Sequence, residues 1–157
     1  MPHVAYIGLG SNVGDRAGAL RRALEMLGAT GQTVVTDVSD FIETTPVGPP
    51  QAPYLNAAAR VETELAPGQL LERLHEIEAS LGRDRPAEER WGPRTCDLDI
   101  ELMDDLVIQT DELTIPHPRL HERSFVLVPL AQIAPDALHP VLGVTIRELL
   151  EHVQGRP

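Results

Sequence analysis

Apolar and polar positions along the chain switch repeatedly between a strand-like and a helix-like period. Val4-Ala5-Tyr6-Ile7-Gly8 is a short apolar run that reads as a buried strand, leading into Gly8-Leu9-Gly10-Ser11-Asn12-Val13-Gly14-Asp15. From about Asp15 to Leu27, residues Ala19, Leu20, Ala23, Leu24 and Leu27 recur at helical spacing, and Gly28 offers a stop. Thr33 to Thr44 alternates through Val35, Val38 and Phe41 and predicts a second strand; Tyr54 to Glu64 predicts a third. Pro67-Gly68-Gln69 opens a helix to Leu81, with Leu70, Leu71, Leu74, Ile77 and Leu81 on its buried stripe and Gly82 as its stop. Cys96, Leu98, Ile100 and Leu102 then alternate with Thr95, Asp97, Asp99 and Glu101, a fourth strand.

The order β-α-β-β-α-β predicts an α+β fold with a ferredoxin-like core and a mainly antiparallel sheet. Beyond it, short strands at Leu106–Gln109 and Glu112–Ile115, an apolar segment at Ser124–Ile133 and an amphipathic helix at Thr145–Val153 predict a C-terminal extension of short strands and helices. Nothing repeats and no linker interrupts the chain, so one domain is expected over residues 1–157. The glycine-rich stretch does not fit a dinucleotide cradle, because G-x-G-x-x-G needs glycine where Val13 stands. It reads instead as a tight strand-to-helix turn that uses positive φ.

Apolar residues at 42% and charged residues at 24% place the 157-residue chain among ordinary globular domains with a core of their own. No apolar run reaches membrane-spanning length, and the first residues lack the basic and apolar regions of a secretion signal, so a cytoplasmic protein without membrane contact is expected. The single cysteine, Cys96, excludes an internal disulfide and falls on the core face of its strand, where a small buried hydrophobe is the expected role. The net charge of −11 argues against nucleic-acid binding. All 13 basic residues are arginine, so a Walker A lysine and Schiff-base chemistry are both excluded.

Within that acidic chain Arg83, Arg85, Arg90 and Arg94 cluster just before the fourth strand, a local concentration suited to holding phosphate oxygens in bidentate fashion. Asp97 and Asp99 share one strand face with Cα atoms roughly 6.5 to 7 Å apart, close enough to hold one hard cation, or two cations roughly 3.5 to 4 Å apart. A bare D-x-D is more often a solvated acidic face; the adjoining arginines tip the reading towards a metal–polyphosphate site. Of only five aromatics, Tyr54, Trp91 and Phe125 stand where rings could sandwich a flat ligand. Four prolines between Thr45 and Pro53 hold an extended loop whose main-chain groups could read a heterocycle's edge, or which is simply a stiff connector. His75 and Glu78 lie one helical turn apart, a spacing that could meet one ligand but usually marks solvated surface. His117, framed by Pro116 and Pro118, and Arg123 follow the sheet. These parts suit group transfer from a magnesium–nucleotide. A ferredoxin-like regulatory or RNA-binding module and a metal-dependent phosphohydrolase are the competing readings; the acidic charge weighs against the first and the flat-ligand pocket against the second.

Arg90-Trp91-Gly92-Pro93-Arg94-Thr95 through Asp97-Leu98-Asp99-Ile100 resembles the signature of the 6-hydroxymethyl-7,8-dihydropterin pyrophosphokinases of folate biosynthesis. The resemblance extends to Ile7-Gly8-Leu9-Gly10-Ser11-Asn12, Tyr54-Leu55-Asn56-Ala57 and Ile115-Pro116-His117-Pro118. It implies transfer of a pyrophosphoryl group from ATP to the pterin hydroxymethyl oxygen, with release of AMP; a monomer acting on these two small molecules, without nucleic acid or membrane, is expected. It also implies two Mg2+ ions on Asp97 and Asp99 and catalytic arginines at Arg83 and Arg94. Arg85, Arg90, His117 and Arg123 would meet phosphate and ribose, with His75, Glu78, Ile100 and Thr114 around the nucleotide. The pterin would stack between Tyr54 and Phe125, its polar edge read by Asn56, Thr44 and main-chain groups near Pro46 and Val47, with Trp91 on a loop closing over both substrates. Pro86 stands where some members carry lysine, which shifts phosphate charge balance onto Arg85 and Arg90. Glu101 adds a third carboxylate to the metal face, expected to be solvated or an outer partner of the metal.

Overall fold

A computed structural model describes residues 2–44, 53–82 and 96–155. Strands β1 (His3–Ser11), β2 (Thr33–Val38), β3 (Ile42–Thr44), β4 (Tyr54–Thr63) and β5 (Asp97–Met103) form one sheet. Its order is β2-β4-β1-β5 with β3 also pairing β4, and every pairing is antiparallel, as a ferredoxin-like core requires. Helices α1 (Arg16–Gly28) and α2 (Pro67–Ser80) are the two crossovers. The Asp15 carboxylate caps α1 by accepting from the Gly18 amide at 3.0 Å. The two-stranded ribbon β6 (Ile108–Gln109) and β7 (Thr114–Ile115), then α3 (Ser124–Ile133) and α4 (Ile146–Gln154), complete the C-terminal extension. A capping box between Thr145 and Glu148 starts α4.

The expected single strand from Thr33 to Thr44 is broken into β2 and β3. Ser39 diverts the backbone: its hydroxyl accepts from the Ala58 amide at 2.8 Å, and the next amide, of Asp40, bonds the Gln132 side chain instead of the sheet. The expected strand-to-helix turn with positive φ is present at Gly14 but is shorter than the glycine pattern suggests. Gly8 and Gly10 lie inside β1, and of the glycines in this stretch only Gly14 has positive φ, at 67°.

Alternation on β1 separates two layers. Ala5, Ile7 and Leu9 point towards α1 and α2, where Leu20, Leu27, Leu70, Leu74 and Ile77 close the main core together with Cys96, Leu98 and Ile100. On the opposite face, Tyr6, Ala58 and Leu102 meet Leu120, Leu127, Leu130, Ile146 and Leu149 from the C-terminal extension. That second layer covers only the end of the sheet marked by Tyr6 and Leu102. The remainder of the face, from the N-terminal end of α3 outward, carries glycines and polar side chains and stays open.

Candidate active site

Strand register brings the site together. On the open face Gly10 pairs with both Asn56 of β4 and Asp97 of β5, and the next outward-facing residue of β1, Gly8, pairs with both Ala58 and Asp99. Asn56 and Asp97 are therefore two strand spacings apart, roughly 9.5 Å, with a glycine between them. The cavity over these rows has a volume of about 470 Å3, and its wall includes Thr44, Tyr54, Asn56, Asp97, Asp99, Arg123 and Phe125. The two glycines are its floor. A Cβ at Gly10 would come within 3.0 Å of Asn56 Nδ2 and 3.4 Å of a Tyr54 ring carbon, so any side chain there would fill the slot beside the ring.

At the β3–β4 end, the Thr44 hydroxyl donates to Asn56 Oδ1. The amide oxygen being taken, the Nδ2 donor is the group Asn56 offers the cavity. Tyr54 and Phe125 are half-buried in the cavity wall, and the Arg123 guanidinium carbon lies 5.5 Å from the Phe125 ring centroid. An aromatic slot with an amide at one end and a carboxylate pair at the other suits a flat heterocycle bearing a group that reacts near a cation.

Asp97 and Asp99 are half-buried and share the open face as alternation requires. Their donor set is all oxygen, which suits a hard divalent ion. Among the described residues no group of three or more His, Cys, Asp or Glu side chains is arranged to hold a metal ion by itself. Such an ion would complete its shell with water and phosphate oxygens, as magnesium commonly does.

Of the two expectations for Glu101, a solvated carboxylate or an outer partner of the metal, the first is corrected: only 3% of its surface is exposed. It is the extra residue of a β-bulge, since Tyr6 pairs with Leu102 while Ile7 pairs with Ile100. Burial, and next the charge of Asp99, push its carboxyl well above the usual carboxylate range, with Arg123 pulling the other way.

Glu78 likewise is not part of a solvated pair. It is 1% exposed, and its Oε2 accepts the Leu98 amide at 2.8 Å, between the two aspartates in sequence. His75, three residues earlier on the same helix, is exposed. The Ile100 side chain is packed in the main core, so only its main chain could meet a nucleotide. Thr114 is half-buried on β7. The His117 amide donates to the Glu101 carbonyl at 3.0 Å, and its Nδ1 accepts the Arg119 amide at 3.2 Å. Burial, followed by the nearby Arg123 charge, lowers this imidazole to about 4. It is neutral at physiological pH, and with Nδ1 accepting, its proton sits on Nε2. None of His75, Glu78, Ile100, Thr114 and His117 belongs to the cavity wall. Pro46, Val47, Arg83, Arg85, Arg90, Trp91 and Arg94 lie outside the described residues.

Sequence reasoning missed Gly8 and Gly10 as a floor; their spacing of two on a strand was the available signal. It also missed Arg119 and Glu122, which join the cavity wall and pair with each other at 3.3 Å. No helix of the described residues is long and apolar enough to cross a membrane.

The family model for 7,8-dihydro-6-hydroxymethylpterin-pyrophosphokinase matches residues 6–135. The 2-amino-4-hydroxy-6-hydroxymethyldihydropteridine pyrophosphokinase of Bacillus subtilis is 52% identical over 134 residues, covering 85% of this chain and 79% of its own. That of Methylorubrum extorquens is 48% identical over 148 residues, covering 93% and 90%. A crystal structure of HPPK-DHPS in complex with substrates superposes with a TM-score of 0.75 at 13% identity, and one of Plasmodium falciparum HPPK-DHPS with pteroate at 0.77 and 17%. Both cover 97% of this chain, which spans less than half of those longer ones, 43% and 42%, and at such identity they bear on the fold alone. With half of its aligned residues identical to a relative over most of both lengths, and the family model matching residues 6–135, the chain belongs to the 7,8-dihydro-6-hydroxymethylpterin-pyrophosphokinase family.

Proposed function

We propose that this cavity transfers the pyrophosphoryl group of ATP to the hydroxymethyl oxygen of 6-hydroxymethyl-7,8-dihydropterin. The new bond joins that oxygen to the β-phosphorus, the bond from the β-phosphorus to the oxygen it shares with the α-phosphorus breaks, the electron pair leaves with that oxygen on AMP, and the hydroxyl proton passes to water. The observation that carries this reading is the register row Asn56–Gly10–Asp97, with Tyr54 and Phe125 beside it. It supports a flat ring lying across the glycine floor with its polar edge at Asn56 Nδ2 and its hydroxymethyl arm towards the aspartates.

Asp97 and Asp99 would hold magnesium, two ions in our reading, which when bound neutralises phosphate charge and favours loss of the hydroxyl proton. Arg123 adds positive charge at the phosphate end of the cavity, and the neutral His117 can donate only from Nε2, as a hydrogen bond to phosphate or ribose oxygen. Arg83 and Arg94 balance the oxyanion charge that develops, Arg85 and Arg90 grip the polyphosphate, and Trp91 closes over both substrates. Pro46 and Val47 share the reading of the pterin edge with Thr44. These remaining roles rest on family resemblance, as do nucleotide contacts at His75, Thr114 and the main chain of Ile100; Glu78, enclosed against Leu98, supports the strand instead. A monomer working in the cytoplasm fits the same reading.

The test is AMP release from ATP and Mg2+ with and without 6-hydroxymethyl-7,8-dihydropterin. AMP formed only when the pterin is present supports the reading; AMP formed equally in its absence replaces it with a hydrolase.

A further inference from the structure

One buried polar atom at the site has no role in the reaction as described. Glu101 Oε2 is enclosed and makes no hydrogen bond among the described residues. The other carboxyl oxygen, Oε1, lies over Gly8, where a Cβ would come within 2.5 Å of it. The bulge at Glu101 gives β5 an extra residue opposite β1, and the missing side chain of Gly8 leaves the space its carboxyl occupies. A carboxyl 3% exposed with one enclosed oxygen that has no hydrogen bond among the described residues costs folding free energy, so a group that meets it only in a complex is the economical explanation. Glu101 also belongs to the cavity wall, beside Asp99 and Arg123. A turn about its terminal torsion, which is broad for a carboxylate, presents either oxygen to the cavity.

We infer that Glu101 is a positioning residue for the cation carried by Asp97 and Asp99. Its carboxyl hydrogen-bonds a water in that ion's coordination shell and fixes the shell against the glycine floor. The inference rests on the metal–nucleotide reading above. Direct ligation is disfavoured, because Asp97, Asp99 and Glu101 do not converge as a preformed three-carboxylate group. A partner in the outer shell needs no such convergence and typically alters metal affinity by about 10- to 100-fold.

The test is Mn2+ binding followed by electron paramagnetic resonance, with an ATP analogue bridged by methylene between its α- and β-phosphorus. Glu101→Leu keeps the volume and is expected to weaken Mn2+ binding roughly tenfold or more. Glu101→Gln, which can still bond water, is expected to recover most of that loss. Asp97→Ala is run beside them. Loss of Mn2+ binding in Asp97→Ala with wild-type affinity in Glu101→Leu overturns this inference alone. Unchanged affinity in Asp97→Ala overturns the metal reading beneath it. If the leucine variant does not fold, infrared difference spectra of wild type and Glu101→Gln decide. Mg2+ and the analogue should shift a carboxyl band that the glutamine variant lacks, and absence of such a band overturns the role.

Discussion

Glu78→Ala separates a structural anchor from a surface acid. The Glu78 carboxylate is 1% exposed and receives the Leu98 amide at 2.8 Å, tying α2 to β5 between the two aspartates. Truncation removes a hydrogen bond to a charged acceptor and leaves a buried N–H without it, a loss of about 1.5–3 kcal/mol. For a chain of this size each kcal/mol moves Tm by roughly 2–4 °C, so a fall of roughly 3–12 °C is expected. Thermal unfolding followed by circular dichroism measures it. Because Leu98 sets the spacing of Asp97 and Asp99, Mg2+ affinity should fall with Tm, by about tenfold if Glu78 acts as an outer-shell support. Glu78→Gln retains an acceptor oxygen and should lie between the two. An alanine variant with wild-type Tm and wild-type Mg2+ dependence would refute the anchor.

Asp97→Ala should abolish turnover while leaving the circular dichroism spectrum unchanged; a near-normal rate would sink the metal assignment. Gly10→Val pushes a side chain against Asn56 and Tyr54, at an overpacking cost of about 1–3 kcal/mol, so the pterin KM should rise roughly 5- to 150-fold with ATP affinity little altered. Equal losses for both substrates would remove the glycine floor from the pterin slot. Thr44→Val frees Asn56 Oδ1 and should weaken pterin binding by about 1 kcal/mol, roughly fivefold, as isothermal titration would show. His117 carries a pH prediction. Its folded value of about 4 lies below the ordinary 6.5, so the unfolded chain binds the extra proton between those limits. Its contribution is complete above 6.5 and is lost as pH falls towards 4, by about 3 kcal/mol at most. Glu101, with its raised carboxyl, pulls the other way, favouring the folded state at low pH and losing that as pH rises. The difference in denaturant stability between wild type and His117→Gln isolates the histidine, and a flat difference across the window would contradict it.

The alternation of Cys96, Leu98 and Ile100 with Asp97 and Asp99 was sufficient in sequence to place the carboxylates on the face opposite the core, because a strand's period is two whatever it packs against. Helix α1 with its start near Asp15, and α2 and its proline start, were equally local, and so was the β-α-β-β-α-β order that brings the sheet together. Tertiary structure decided what depends on register and cover. Only pairing shows that Gly10 stands between Asn56 and Asp97, making a glycine pattern that reads as a turn into a floor. Only packing shows that Glu78, apparently a surface acid one turn from His75, is enclosed against β5. The bulge that buries Glu101 arises from the fit between two strands far apart in the chain, and no period within one strand encodes it.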